Sequence, residues 1–166
     1  MKKAVYIGLG SNLGHKVKNL QKAVDEIEAV NGINIKKLSS LYSSKAWGNT
    51  EQADFVNQII KIETEIPPME LLGILQDIEI KMGRQRKEKW GPRVIDLDIV
   101  LYGNEILDSL ELKIPHPYIR ERLFVLVPLQ EINPEFIFPD DGAKIKEVLV
   151  RVLAQNKANQ IQKMHL

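Results

Sequence analysis

"KWGPRVIDLDIV", residues 89–100, is the stretch on which the fold and the chemistry both turn. Its second half predicts a strand over Val94–Tyr102, because Val94, Ile95, Leu97, Ile99 and Val100 are aliphatic and mostly β-branched. Asp96 and Asp98 interrupt that run two residues apart. Aspartate is depleted in strands, and a buried charge needs a partner. Residues i and i+2 of a strand share a face, so the two aspartates project together, opposite Ile95, Leu97 and Ile99, with Cα atoms about 6.5–7 Å apart. Carboxylates so placed converge on shared divalent cations, and a cation such as Mg²⁺ relieves the repulsion that otherwise raises one carboxyl's pKa. Taken alone, the pair reads more simply as the wet face of a half-buried strand.

The flanking residues change that balance. Residues 81–93 read KMGRQRKEKWGPR, six cations (Lys81, Arg84, Arg86, Lys87, Lys89, Arg93) against Glu88, with Trp90 among them. A cationic, glycine-containing loop feeding a strand with paired carboxylates suits a metal–polyphosphate: guanidinium forks match phosphate oxygens, and carboxylates hold the metal. His116 stands between Pro115 and Pro117, with Arg120 and Arg122 nearby, a fair phosphate contact. Phe55 and Asn57 share one strand face, where a ring stacks on a flat heterocycle and an amide reads its edge. A core phenylalanine and a surface asparagine is the plainer alternative.

Outward from this centre the chain predicts an α+β domain over residues 1–166. Strands are expected at Lys3–Leu9, Ile33–Tyr42, Phe55–Ile66 and Val94–Tyr102, and helices at 16–30, 68–82 and 143–155, from apolar spacing and the Gly and Pro signals that bound it. Ser43–Asp54 and Gly83–Pro92 read as loops, Phe124–Leu129 as an apolar run, and residues 155–166 as a tail that frays. The order strand-helix-strand-strand-helix-strand is the ferredoxin-like βαββαβ arrangement, an antiparallel sheet with helices on one face, here with a C-terminal extension whose helix covers part of the other face.

With 44% hydrophobic and 27% charged residues and a net charge of +1, the 166-residue chain reads as a soluble globular protein that does not bind nucleic acid through bulk charge. Without cysteine it has no disulfide or thiolate metal site, and a cytoplasmic setting fits. No apolar run approaches the ~20 residues of a membrane span. Gly8-Leu9-Gly10-Ser11-Asn12-Leu13-Gly14 imitates a dinucleotide fingerprint, but its second gap is one residue too long and the alternating α/β pattern does not continue. A Walker A motif is absent, so side chains and metals must hold any nucleotide.

The W-G-P-R-x-x-D-L-D-I element, preceded by an R-x-R-K loop, resembles the hallmark of the 6-hydroxymethyl-7,8-dihydropterin pyrophosphokinases of folate biosynthesis. "YIGLGSNLG", "DFVNQ", "QDIEIKMGR" and "IPHPYIRERLFVLVPLQEINPEF" are similar to further segments of that family, so the likeness runs from about Val5 to Pro139. It implies a ferredoxin-like fold and transfer of diphosphate from ATP to the pterin hydroxymethyl group, with release of AMP. By the same resemblance Asp96 and Asp98 hold two Mg²⁺ ions on the ATP phosphates. Arg84 and Arg93 stabilise charge on the transferring group, and Trp90 closes the loop over the site. Arg86, His116, Tyr118 and Arg122 lie by the triphosphate, and Gln76 and Glu79 line the ATP side. Phe55 and Phe124 sandwich the pterin, Asn57 bonds its edge, and Ser44 and Trp47 belong to the pterin loop. That loop reads Ser44-Lys45-Ala46-Trp47-Gly48 where the family usually has T-x-P-x-G, and Phe55 stands where tyrosine is common. The partners implied are two small molecules acting on a monomer. The rival readings are a regulatory protein that binds ATP and Mg²⁺ without catalysis, and a ferredoxin-like RNA-binding module.

Overall fold

The computed structural model describes residues 1–45, 53–83, 92–157 and 161–165. Its elements run β1 (Lys3–Ser11), α1 (Lys16–Glu28), β2 (Ile33–Leu38), β3 (Tyr42–Ser44), β4 (Phe55–Thr64), α2 (Pro68–Lys81), β5 (Asp96–Tyr102), β6 (Leu107–Asp108), β7 (Lys113–Ile114), α3 (Leu123–Ile132), α4 (Ile145–Val152), a π-helical turn and β8 (Ile161–Lys163). The main sheet is antiparallel in the order β5-β1-β4-β3-β8, with β2 also on β4. With β2 and β3 taken as one edge, this is the expected ferredoxin-like arrangement.

Period-two alternation divides the sheet between two cores. Val5, Ile7 and Leu9 of β1, Ile60 and Ile62 of β4, and Leu97 and Ile99 of β5 pack with Leu20, Val24 and Ile27 of α1 and Leu71, Leu75 and Ile78 of α2. Tyr6, Ile59 and Val100 pack instead with Leu123, Leu126 and Leu129 of α3 and Ile145 and Val148 of α4. The helices therefore occupy both faces. Only α4 was legible in the sequence on the second face. α3 is the unassigned apolar run: it is apolar nearly all round and carries Pro128 inside, so it shows neither amphipathic period nor the helix-former signal.

Two further expectations are corrected. The strand predicted over Ile33–Tyr42 is broken at 39–41, and its second piece, β3, takes in Ser43 and Ser44 from the predicted loop. Ser39 fixes the break: its N–H donates to the Ile59 carbonyl, its Oγ accepts the Ile59 N–H, and Gln58 donates to its carbonyl, at 2.9, 3.0 and 2.9 Å. The tail expected to fray carries β8, which pairs with β3. α2 starts and stops as its sequence signals direct: Pro68 opens it where a missing N–H costs nothing, and Gly83, at φ +94°, follows its last turn.

Candidate active site

The second face of the sheet is only partly covered. α3 and α4 cover the end holding Tyr6, and a cavity of about 90 Å³, which Ile59 and Val100 also line, occupies the other end. Asp96 and Asp98 of β5 line it, both on the face opposite Leu97. Opposite them in register on β1 are Gly10 and Gly8, and on the far side of those lie Asn57 and Ile59 of β4. The two glycines are the floor. A Cβ on Gly10 would lie 3.2 Å from Asn57 Oδ1 and 3.4 Å from the Phe55 ring, so a side chain there would crowd the polar and aromatic groups of the site.

One wall is cationic. Arg93 Nη1 donates to Asp96 Oδ2 at 3.1 Å, and Asn12 grips the backbone of Arg93 from below: its Oδ1 accepts the Arg93 N–H at 2.7 Å and its own N–H donates to the Arg93 carbonyl at 3.0 Å. Arg122, just before α3, lies over the rings of Tyr118 and Phe124 at 5.1 and 5.4 Å. Burial pushes its pKa down, and Asp98 and then Asp96 push it back up. His116 Nδ1 accepts the Tyr118 N–H at 3.3 Å, which leaves Nε2 to carry the ring proton. Burial first, then Arg122, holds His116 down at about 4, partly opposed by Asp96. At neutral pH it is an uncharged donor beside Arg122.

The other wall is apolar and amide-bearing. Phe55 and Phe124 both line the cavity. Asn57, 4% exposed, donates from Nδ2 to Ser44 Oγ at 2.6 Å, which fixes the orientation of its amide. An anion-binding end with paired carboxylates thus adjoins a flat end with two rings and an oriented amide. That combination fits a nucleotide phosphate chain meeting a planar heterocycle.

A family model described as 7,8-dihydro-6-hydroxymethylpterin-pyrophosphokinase matches residues 6–134. This chain belongs to that family. It is 42% identical over 143 residues to the 2-amino-4-hydroxy-6-hydroxymethyldihydropteridine pyrophosphokinase of Aquifex aeolicus, covering 86% of this chain and 88% of the relative. It is 44% identical over 152 residues to the enzyme of the same name from Haemophilus influenzae, covering 92% and 94%. Among solved structures, an HPPK-DHPS in complex with substrates superposes with a TM-score of 0.78 at 13% identity, over 100% of this chain. The wild-type Plasmodium falciparum HPPK-DHPS with pteroate gives 0.79 at 12%, also over 100%. The chain spans 47% and 48% of those two structures, and at such identity the likeness is one of fold.

Within this family frame, the structure brings Ser44, Phe55 and Asn57 on β3 and β4, Asp96 and Asp98 on β5, and Arg93, His116, Arg122 and Phe124 from the adjoining segments to one cavity. Tyr118 is 40% exposed and contacts the cavity-lining His116 and Arg122. Glu79, expected on the ATP side, is buried beneath the sheet, where its carboxylate accepts the Leu97 N–H at 2.7 Å. It therefore holds the strand between the two aspartates. Gln76 lies one turn earlier on the same helix and is likewise not among the cavity-lining residues. Arg120 turns away from the cavity to bond Asp140 and Asp141 and to lie over the Phe138 ring at 4.4 Å. Trp47, Arg84, Arg86 and Trp90 lie outside the described residues. Sequence reasoning missed Gly8, Gly10 and Asn12. It weighed that glycine cluster as a dinucleotide fingerprint and set it aside, whereas its register against the Asp-x-Asp strand makes it the floor.

Proposed function

We infer that this chain transfers diphosphate from ATP to the hydroxyl of 6-hydroxymethyl-7,8-dihydropterin, a step of folate biosynthesis that releases AMP. The observation that carries the reading is the sharing of one cavity by the Asp96–Asp98 pair and the Phe55–Asn57–Phe124 end, in a chain of this family. Two small substrates meet there, and transfer requires only that they meet in line.

The residues also fit a metal. Among the described residues no three His, Cys, Asp or Glu side chains cluster, so no all-protein cage exists. Mg²⁺ does not need one: it is held through one or two carboxylates together with substrate phosphates. Asp96 and Asp98 are the carboxylates we assign to two such ions. When bound, Mg²⁺ neutralises phosphate charge and lowers the pKa of a nearby alcohol.

The protein's own part is positioning and charge. Arg93 and Arg122 meet the phosphate oxygens, and neutral His116 adds a hydrogen bond from Nε2 without adding charge. Phe55 and Phe124 hold the pterin flat while Asn57, oriented by Ser44, bonds its edge. The pterin hydroxyl oxygen then attacks the β-phosphorus. A new O–P bond forms, the bond from that phosphorus to the α–β bridging oxygen breaks, AMP leaves with the bonding pair, and one proton is released. The assignment extends to Arg84, Arg86 and Trp90 as the cationic, closing loop, and to a monomeric single-domain enzyme acting in the cytoplasm on small molecules.

Incubation with ATP, Mg²⁺ and the hydroxymethyl-dihydropterin tests this reading. AMP and pterin diphosphate in equal amounts are expected. ADP would move the attack to the γ-phosphorus, and tight ATP binding without turnover would favour a regulatory protein.

A further inference from the structure

β8 lies beyond the segment that matches the family model, which ends at residue 134. It nonetheless reaches the active site through a short chain of contacts. β3 has only three residues, Tyr42–Ser44. On one side it pairs with β4, Tyr42 opposite Asn57 and Ser44 opposite Phe55. On the other it pairs with β8, Tyr42 opposite Lys163, Ser43 opposite Gln162 and Ser44 opposite Ile161. The ladder continues one residue further, where the Met164 N–H donates to the Leu41 carbonyl at 2.9 Å. Hydrogen-bonded pairs alternate along an antiparallel ladder, so Ser43 and Gln162 form the next one.

Side chains reinforce the pairing. Ile161 packs against the α3–α4 core, and Met164 against the α1–α2 core on the opposite face. Lys163 Nζ lies 3.7 Å from Glu131 of α3. The same carboxylate accepts the Ser40 N–H, the Ser40 hydroxyl and the Tyr42 hydroxyl, at 2.9, 2.6 and 3.0 Å. β3 is thus gripped by β4, by Glu131 and by β8. A three-residue strand paired on one side only would be a frayed edge. What it carries is Ser44, whose Oγ holds the Asn57 amide at 2.6 Å inside the cavity.

We propose that β8 is a positioning element for the pterin end of the active site: by closing β3 from its outer side it fixes Ser44, and through Ser44 the amide of Asn57. This rests on the assignment of the Phe55–Asn57 end to the pterin. β3 pairs with β4 and β8, whereas Asp96 and Asp98 stand on β5 at the far edge of the sheet beyond β1, so the element acts on one substrate and not the other.

The experiment is made on the full chain. Gln162→Pro removes the ladder N–H and is compared with Gln162→Thr, which keeps that N–H and favours a strand. Affinities for 6-hydroxymethyl-7,8-dihydropterin and for MgATP are measured separately by calorimetry, with thermal melting alongside. Gln162→Pro is expected to weaken pterin binding about tenfold, the equivalent of one hydrogen bond, and to leave MgATP within about twofold. Gln162→Thr restores the pterin affinity. In a Ser44→Ala background Gln162→Pro adds no further loss, because the contact it acts through is gone. Deletion of residues 161–166 gives the same one-sided loss. Unchanged pterin binding, equal weakening of both ligands, or additive losses with Ser44→Ala would overturn the proposal. Failure of the unsubstituted chain to bind the pterin would overturn the assignment beneath it, and that is seen before any variant is made.

Discussion

The Arg93 guanidinium lies 3.1 Å from the Asp96 carboxylate, with both side chains mostly withdrawn from solvent. Asp96 therefore faces a cation of the protein on one side and the cavity on the other. On the proposed assignment, this contact places Arg93 beside the carboxylate that would meet a metal and so beside the phosphate the metal would bring. A partly exposed pair of this kind stabilises the fold by only about 1 kcal/mol. Asp96→Asn and Asp98→Asn are accordingly expected to lower AMP formation at least about 100-fold. Their melting temperatures should fall by no more than about 4 °C, as befits a chain of this size. Chelation of Mg²⁺ should abolish turnover by the unsubstituted chain. Near-normal turnover by Asp98→Asn would remove the metal assignment.

Gly10 separates the two substrate ends. An added Cβ would meet Asn57 Oδ1 at 3.2 Å and Phe55 at 3.4 Å, whereas at Gly8 it would meet the Val100 methyl at 3.3 Å and the Ile59 methyl at 3.5 Å. Gly10→Ala must therefore displace the amide and the ring assigned to the pterin, while Gly8→Ala moves only aliphatic tips. The expected result is a rise in KM for the pterin with Gly10→Ala, of about tenfold, if one hydrogen bond is spoiled. Gly8→Ala should leave that KM nearer its normal value. Steady-state kinetics with each substrate varied in turn decides the matter, and equal effects of the two alanines would refute the floor assignment.

The same region shows what the sequence makes legible. Strand alternation alone predicts that Asp96 and Asp98 share a face and that Phe55 and Asn57 share another, and both pairs line one cavity. Nothing local predicts that Gly8 and Gly10 lie between them, because that follows from pairing of β1 with two distant strands. α3 escaped detection because a helix buried on most sides has no polar period, and its internal proline argued against a helix. Ser39 broke a strand that alternation alone would have continued, through hydrogen bonds to Gln58 and Ile59 that are remote in sequence. Glu79 is placed by the resemblance on the ATP side, one turn after Gln76, and only the tertiary fold shows its carboxylate buried and bonded to the Leu97 N–H.

Glu79 is the next prediction. Its buried carboxylate accepts the Leu97 N–H, midway between the two aspartates. Glu79→Leu removes that acceptor and leaves a buried N–H, which costs about 1–3 kcal/mol. Glu79→Gln keeps an acceptor oxygen at similar volume. The leucine variant should therefore melt well below the glutamine variant and should also lose affinity for MgATP, since β5 carries the pair we assign to the metal. Calorimetric melting of both variants checks the order. A leucine variant as stable as the parent would show that the carboxylate holds nothing.

His116 supplies a pH dependence whose sign follows from its surroundings. An exposed imidazole titrates near 6.5, while burial and Arg122 hold this one at about 4. Between those values the unfolded chain binds a proton that the folded chain refuses. The stability due to the neutral ring is fully present above about pH 6.5 and is lost as the pH falls through that range towards 4. His116→Gln should flatten the acid side of the melting-temperature profile in that window. Protonation would also cancel the acceptor at Nδ1 that takes the Tyr118 N–H. On the proposed assignment a bound triphosphate acts in the opposite sense, because a polyanion beside Nε2 would favour the charged ring and raise its pKa. Imidazole NMR titration should therefore give a value near 4 in the free protein and a higher one with a nonhydrolysable ATP analogue and Mg²⁺. A free-protein value near 6.5, unmoved by the analogue, would place His116 in solvent and away from the phosphate chain.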